Sequence, residues 1–106
     1  MENIKPEITV FEGGGMKEIK GKLNPLLISP VALEELIKIL DFGAKEYSED
    51  SWKGVPYVEY IKAIFRHLLQ IMFGKYVDDK SGFTHFGHIM CNAMFLIHFF
   101  YEGKIK

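Results

Sequence analysis

His85, His88 and Asn92 fall at i, i+3 and i+7 of one apolar stretch, a spacing that puts all three on one face of a helix. Phe86, Ile89, Met90, Ala93, Leu96 and Ile97 cover the other faces. A polar side chain within an apolar helix is costly unless it is paired. The stripe must therefore meet a metal, a phosphate or the polar groups of another helix. His67, preceded by Arg66, is the partner expected from a second helix. A hydrogen-bonded seam without any ligand is the competing explanation.

A metal is one thing this set could hold. Histidine with carboxylate suits Zn, Mn or Fe, whereas Mg prefers oxygen ligands and water. The carboxylates within reach of such a site are Glu34, Glu35 and Asp41, with Asp78 and Asp79 further along the chain. Glu34, Lys38, Asp41 and Lys45 share one helix face, which a solvated ladder of ion pairs would also explain. Tyr47 and Trp52 flank the segment after Lys45; aromatics beside a lysine can hold a base while the lysine takes a phosphate. Alternatively, Trp52 covers the end of the core. Gly13-Gly14-Gly15 is no phosphate-binding loop of the Gly-Lys-Ser/Thr type, because that sequence does not follow it. Cys91 sits beside Asn92 but points elsewhere on the helix, so no Cys–His nucleophile is expected.

These residues need helices to position them. Ser29 can cap a first helix and Pro30 suits its first position, with Glu34 and Glu35 early enough to favour the helix dipole. Leu33, Leu36, Ile37 and Leu40 are expected as its buried stripe, and Gly43 either ends or interrupts it. The polar run Ser48-Glu49-Asp50-Ser51 and the following Trp52-Lys53-Gly54 read as a loop. A second helix runs from near Pro56 toward Gly74, with Tyr60, Ile61, Ile64, Phe65, Leu68, Leu69 and Met72 as a broad apolar face. After a turn-rich connection, a third runs from about Thr84 to Tyr101. Residues 1–28 form an N-terminal arm with a β-like run at Ile8–Phe11, and residues 29–106 form the helical domain. Lys17, Lys20 and Lys22 make the arm either a solvated tail or a cationic strap over an anionic ligand. The expected class is all-α, a bundle of about three helices, with part of its surface covered by another subunit.

Composition agrees with one folded domain. The 106 residues are 48% hydrophobic and 25% charged, and 13 Lys+Arg against 14 Asp+Glu leave a net charge of −1. That balance excludes nucleic-acid binding driven by bulk charge. One cysteine excludes an intramolecular disulfide and a Cys-rich zinc site, and a reducing, cytoplasmic setting is expected. The first seven residues show no basic region followed by an apolar one, so no signal peptide is expected. Phe86–Tyr101 is shorter than the ~20 residues of a bilayer crossing, so no membrane role is expected either.

In order and spacing, several segments together resemble the phage-type dATP/dGTP diphosphohydrolase N-terminal domain family. They are Gly15-Met16-Lys17-Glu18, Gly21-Lys22, Leu26-Leu27-Ile28-Ser29-Pro30 and Leu33-Glu34-Glu35-Leu36, then Phe42-Gly43-Ala44-Lys45-Glu46-Tyr47 with Trp52-Lys53-Gly54-Val55-Pro56. Tyr60, Ala63 and Arg66-His67-Leu68 continue the pattern, as do Gly74, Asp78, Ser81-Gly82, His85, His88, Asn92 and Phe95-Leu96. The resemblance implies a small helical protein similar to MazG-like pyrophosphohydrolases. Such enzymes split purine deoxynucleoside triphosphates to monophosphate and pyrophosphate with Mg or Mn, and oligomerise to complete their sites. For a phage protein, the compartment implied is the host cytoplasm.

By position, the resemblance implies that Lys17, Lys22, Lys45, Arg66 and His67 contact phosphates, with Tyr47 and Trp52 framing the base. His85, His88 and Asn92 would form a polar floor. Glu34, Glu35, Asp41 and Asp78 would be metal ligands, and Glu35, Arg66 and His67 the catalytic set. MazG-like enzymes carry Glu-Glu-x-x-Glu and Glu-x-x-Asp on facing helices. Here Glu34-Glu35-Leu36-Ile37-Lys38 lacks the last acid, and His85-x-x-His88 stands where the second pair would be. The departures keep a second function open: an oligomer that sequesters a nucleotide without turnover. A polar seam serving only as a subunit interface is the third.

Overall fold

The computed structural model describes residues 7–106; the first six residues of the arm, and with them most of the segment bearing on a signal peptide, lie outside it. Three helices dominate: α1 (Pro30–Glu46), α2 (Tyr57–Met72) and α3 (His85–Tyr101). The all-α expectation needs one correction, because the arm contains a two-stranded antiparallel sheet. β1 (Ile8–Val10) pairs with β2 (Met16–Glu18), Thr9 facing Lys17. The glycine run closes this hairpin: Gly14 takes a positive φ of 84°, open to glycine without strain, and donates its N–H to the Phe11 carbonyl at 2.8 Å.

The ends of the helices follow from local chemistry. Ser29 Oγ accepts from the Ala32 N–H at 3.2 Å, with Pro30 at the first position of α1. Thr84 caps α3 in the same way, accepting from the Gly87 N–H at 2.9 Å. Both α2 and α3 stop at a left-handed glycine, Gly74 and Gly103. There the N–H two residues past the cap region turns back, Lys75 to the Gln70 carbonyl and Lys104 to the Phe99 carbonyl, each at 2.9 Å. Gly43 does not end α1, which runs on to Glu46. Trp52 lies in a 3-10 turn, Ser51–Gly54, within the segment expected as a loop.

α3 is the central element and packs on both α1 and α2. Ile39, Cys91 and Phe95 form the buried centre, with Leu36, Leu40, Trp52, Tyr60, Phe83 and Met94 around it. The buried face of α1 is rotated from the one expected: Ile39 is inside, while Leu33 and Ile37 are 39% and 56% exposed. α1 carries apolar residues on two faces, and the one that also presents Glu35 to α3 is chosen. Glu34 and Glu35 lie beyond the first turn of α1, so the dipole has little hold on them. On α2 much of the expected apolar face is open, Phe65 and Met72 being 62% and 72% exposed.

Candidate functional site

The N-terminal end of α3 gathers the polar groups. The loop before it is fixed by backbone bonds: Asp78 N–H to the Phe83 carbonyl, Gly82 N–H to the Asp78 carbonyl, and His85 N–H to the Tyr76 carbonyl, all at 2.8 Å. Gly82 has a φ of 77°, the left-handed geometry this turn requires. The turn aims Asp78 at α3. Ser81 donates both its backbone N–H and its hydroxyl to Asp78 Oδ2, at 2.9 and 2.8 Å.

A carboxylate carries no proton to give, so the Ser81 hydroxyl proton belongs to Asp78. Ser81 Oγ also lies 2.6 Å from His88 Nε2, and the same oxygen accepts the Phe83 N–H at 3.2 Å. His88 must therefore donate from Nε2, which fixes its tautomer. The order of donation is His88 to Ser81 to Asp78. His67 of α2 stacks on His88 with ring centroids 4.7 Å apart and planes 3° from parallel. On its other side His67 Nδ1 approaches His85 Nδ1 at 2.8 Å, and one proton between these two nitrogens makes the bond. His85 is 5% exposed.

Charge is disfavoured on this stack. Burial, then the proximity of His88 and His85, holds His67 below the usual imidazole value. Burial depresses His88 too, against the pull of Asp78. For Asp78, burial pushes upward, but the Ser81 hydrogen bonds and the neighbouring His88 and His67 bring it below the ordinary carboxylate range. One ligand atom each from His67, Asp78 and His85 all lie within 4.8 Å of one another, a group of metal-binding types contributed by α2, the loop and α3.

The other candidates are placed differently. Glu35 faces α3, where its two oxygens accept from Thr84, Oε1 from the N–H at 3.3 Å and Oε2 from the hydroxyl at 2.8 Å. It presses so close to Gly87 that a Cβ there would stand 2.6 Å from Oε2 and 2.8 Å from Ile39 Cδ1. Glu34 and Asp41 lie outside, paired with Lys38 at 2.8 Å and Lys45 at 3.1 Å. Arg66 is exposed and makes no ion pair among the described residues, although it is near enough to act on His67. Lys17 and Lys22 are exposed on the arm, Lys17 on a hairpin that packs chiefly on itself. Asn92 is buried and donates to its own helix at the His88 carbonyl, 2.7 Å away.

Beside the cluster, between α1, the 3-10 turn and α3, opens a groove of about 920 Å³. Asp41, Tyr47, Trp52, His88 and Asn92 line it, whereas His67, Asp78 and His85 do not. Trp52 is part of its wall and of the core: its ring stacks on Phe95 at 4.4 Å and 18°, and its carbonyl accepts from Tyr60 Oη at 2.7 Å. Tyr47 is 72% exposed at the rim.

Residues 12–106 match the family described as dATP/dGTP diphosphohydrolase, N-terminal. The chain belongs to this family. A phage relative, "dATP/dGTP diphosphohydrolase" of Salmonella phage PMBT28, is 30% identical over 82 residues, 77% of this chain. The chain spans only 28% of that relative's length. No solved structure matches it. Among the described residues no helix is long and apolar enough to cross a membrane.

Sequence reasoning passed over Thr84 and Gly87 as site-building residues, and read Ser81 only as part of a turn-rich connection and of the resemblance. Their signals are short: Thr84-x-x-Gly87 at a helix start, and Asp78-x-x-Ser81-Gly82 as a side-chain-closed turn.

Proposed function

We propose that this member of the dATP/dGTP diphosphohydrolase N-terminal family is a nucleotide-binding protein of the host cytoplasm. We infer further that it splits a purine deoxynucleoside triphosphate to monophosphate and pyrophosphate with the help of a divalent metal. The observation that carries this is the convergence of His67, His85, His88 and Asp78 beside an apolar groove wide enough for a base. In this proposal Tyr47 and Trp52 receive the base, while Arg66, beside His67, and Lys45, near the end of α1, contact the phosphates. His88, held neutral by burial, accepts or relays a proton where charge develops. Lys17 and Lys22 belong to an arm that would close over the phosphates from outside the helices.

The group of metal-binding types that the fold brings together, His67, Asp78 and His85, holds two imidazoles and one carboxylate, whereas Glu34 and Asp41 pair with lysines on the outer side of α1 and Glu35 meets Thr84. That imidazole-rich set fits Mg, which prefers oxygen ligands and water, less well than it fits a transition ion.

A second copy of the chain is the proposed cover for the open faces. Phe65 and Met72 on α2 and Ile97 and Phe100 on α3 are each 60% or more exposed, an apolar surface that a second copy would cover. Light scattering on the eluting protein tests this; a monomer at all concentrations would overturn it.

The activity test incubates purified protein with dATP, dGTP and the other deoxynucleoside triphosphates, with Mn, Mg or chelator, and resolves products by anion exchange. Monophosphate and pyrophosphate in equal amounts, appearing only with metal, are expected. The engagement of the α1 carboxylates favours a second reading, a protein that sequesters a nucleotide unchanged. Intact ligand released on heat denaturation, with no monophosphate, selects that one.

A further inference from the structure

The mismatch with Mg points to a different ion. We infer that His67, His85 and Asp78 form a binding site for one divalent ion of the imidazole-favouring transition class, such as Zn, Co, Ni or Fe(II). Within the proposed function it names the ion at the same site, and it rests on that reading only for the use to which the ion is put.

Two nitrogens bound to one such ion at about 2.1 Å stand about 3.0 Å apart at a right angle and about 3.4 Å apart at the tetrahedral angle. His67 Nδ1 and His85 Nδ1 are already 2.8 Å apart, facing each other, with a single proton shared between them. With the rings parted by a few tenths of an ångström and turned to converge, an ion seated off the line between them takes both lone pairs and removes the constraint that one ring must donate. The third ligand is oriented in advance. Ser81 directs two donors onto Asp78 Oδ2, and Oδ1 has no hydrogen-bond partner among the described residues. His88, donating to Ser81, supports that carboxylate from behind. Such outer contacts commonly raise metal affinity 10–100-fold.

Donor type supplies the selectivity. Two imidazoles and one carboxylate match the mixed nitrogen and oxygen set of Zn or Fe(II), and serve Mg and Ca poorly. Three protein ligands leave further coordination positions for water or a phosphate oxygen. The ligands come from α2, the loop and α3, so an ion would also tie these elements together and raise thermal stability.

The test titrates chelator-treated, untagged full chain with Co²⁺, read by visible absorption and by calorimetry. One ion per chain and a raised unfolding temperature are expected, with millimolar Mg unable to displace the cobalt. His67→Gln and Asp78→Asn should each abolish the absorption band while far-UV circular dichroism keeps its helical signal. Ser81→Ala should weaken binding about 10–100-fold. His98→Ala, at the far end of α3, should bind as the unmodified chain does. Absence of binding to the unmodified chain, or binding that survives His67→Gln, overturns the site; loss in His98→Ala to the same extent does so as well. Cobalt binding without turnover of any nucleotide leaves this site standing and the enzymatic reading fallen. Turnover with Mg and no cobalt binding does the reverse.

Discussion

Glu34 and Asp41, on the outer side of α1, each reach a lysine one turn further on and stay in water. Glu35 lies next to Glu34 in sequence, yet turns inward and meets Thr84 with both oxygens. Asp78, in the loop, is likewise drawn from solvent and held by Ser81, to which His88 donates in turn. Residue type does not separate these acids. Fixed donors do: a cap hydroxyl and a turn whose N–H groups point one way hold a carboxylate in one place, which a mobile lysine does not. A surface ladder can be rearranged at little cost, whereas the end of α3 depends on each member having its partner.

The largest break in this contrast should come from Thr84→Val. The hydroxyl caps α3 through the Gly87 N–H and also donates to Glu35. Valine keeps the shape and removes both bonds. Loss of a cap with a half-buried carboxylate left short of a donor costs about 2–3 kcal/mol, read as a lower midpoint in urea with an unchanged slope. A midpoint that does not move would mean that water replaces the hydroxyl and that the inner acid is no better held than the outer ones.

Next comes Gly87→Ala. An alanine gains up to about 1 kcal/mol in helix propensity, but its Cβ would meet Glu35 Oε2 and Ile39 Cδ1 well inside contact distance. Crowding of this kind costs about 1–3 kcal/mol, so a net loss is expected. In a Glu35→Ala background the cost of Gly87→Ala should shrink, because the carboxylate it displaces is gone. Equal costs in both backgrounds would show that Ile39, and not the carboxylate, sets how closely α1 approaches α3.

Most helix limits were legible because their signals are local: Ser29-Pro30 before an apolar run, Gly74 after one, and the i, i+3 placement of His85 and His88. The convergence of His67 on that stripe was legible too, since an apolar helix must pair its polar members. What the sequence hid is rotational choice. α1 has apolar residues on two sides, and the side that turns inward is decided by Thr84 and Gly87, about fifty positions away. A stripe drawn from spacing alone chose Ile37 where packing chooses Ile39. The hairpin was half visible: Ile8–Phe11 reads as a strand, but its partner is a lysine-bearing segment whose only marker is the glycine run before it. Lastly, Asn92 shares the histidine face by spacing, while its amide bonds to its own helix.

A smaller effect should separate the two environments by pH. In metal-free protein, both His67 and His88 bind a proton less readily than an ordinary imidazole of 6.5. As the pH falls below that value the unfolded chain takes up protons while the folded one resists. Stability is thus full above about pH 6.5 and declines as the pH drops through the depressed folded values. The thermal midpoint should fall between about pH 7 and about pH 5, and fall less in His67→Gln. A flat profile would show that the stack is as accessible to solvent as the outer ladder.

The smallest effect expected is none, and it bears most directly on where an ion would sit. Glu34→Gln and Asp41→Asn each remove one charge from the outer ladder, where both partners stand in water and salt already screens them. Thermal midpoints of both variants should coincide with that of the unmodified chain, at low and high salt alike. Their cobalt titrations should also overlay the parent's, while Asp78→Asn loses the ion. Asp41 is the sharper case, because it also lines the groove beside the histidines. A weakened cobalt signal in Asp41→Asn would draw the outer acids into the site and erase the distinction between the two sides of α1. An unchanged signal leaves Asp78 as the carboxylate that binds, for the physical reason that its geometry, unlike theirs, is fixed before any ion arrives.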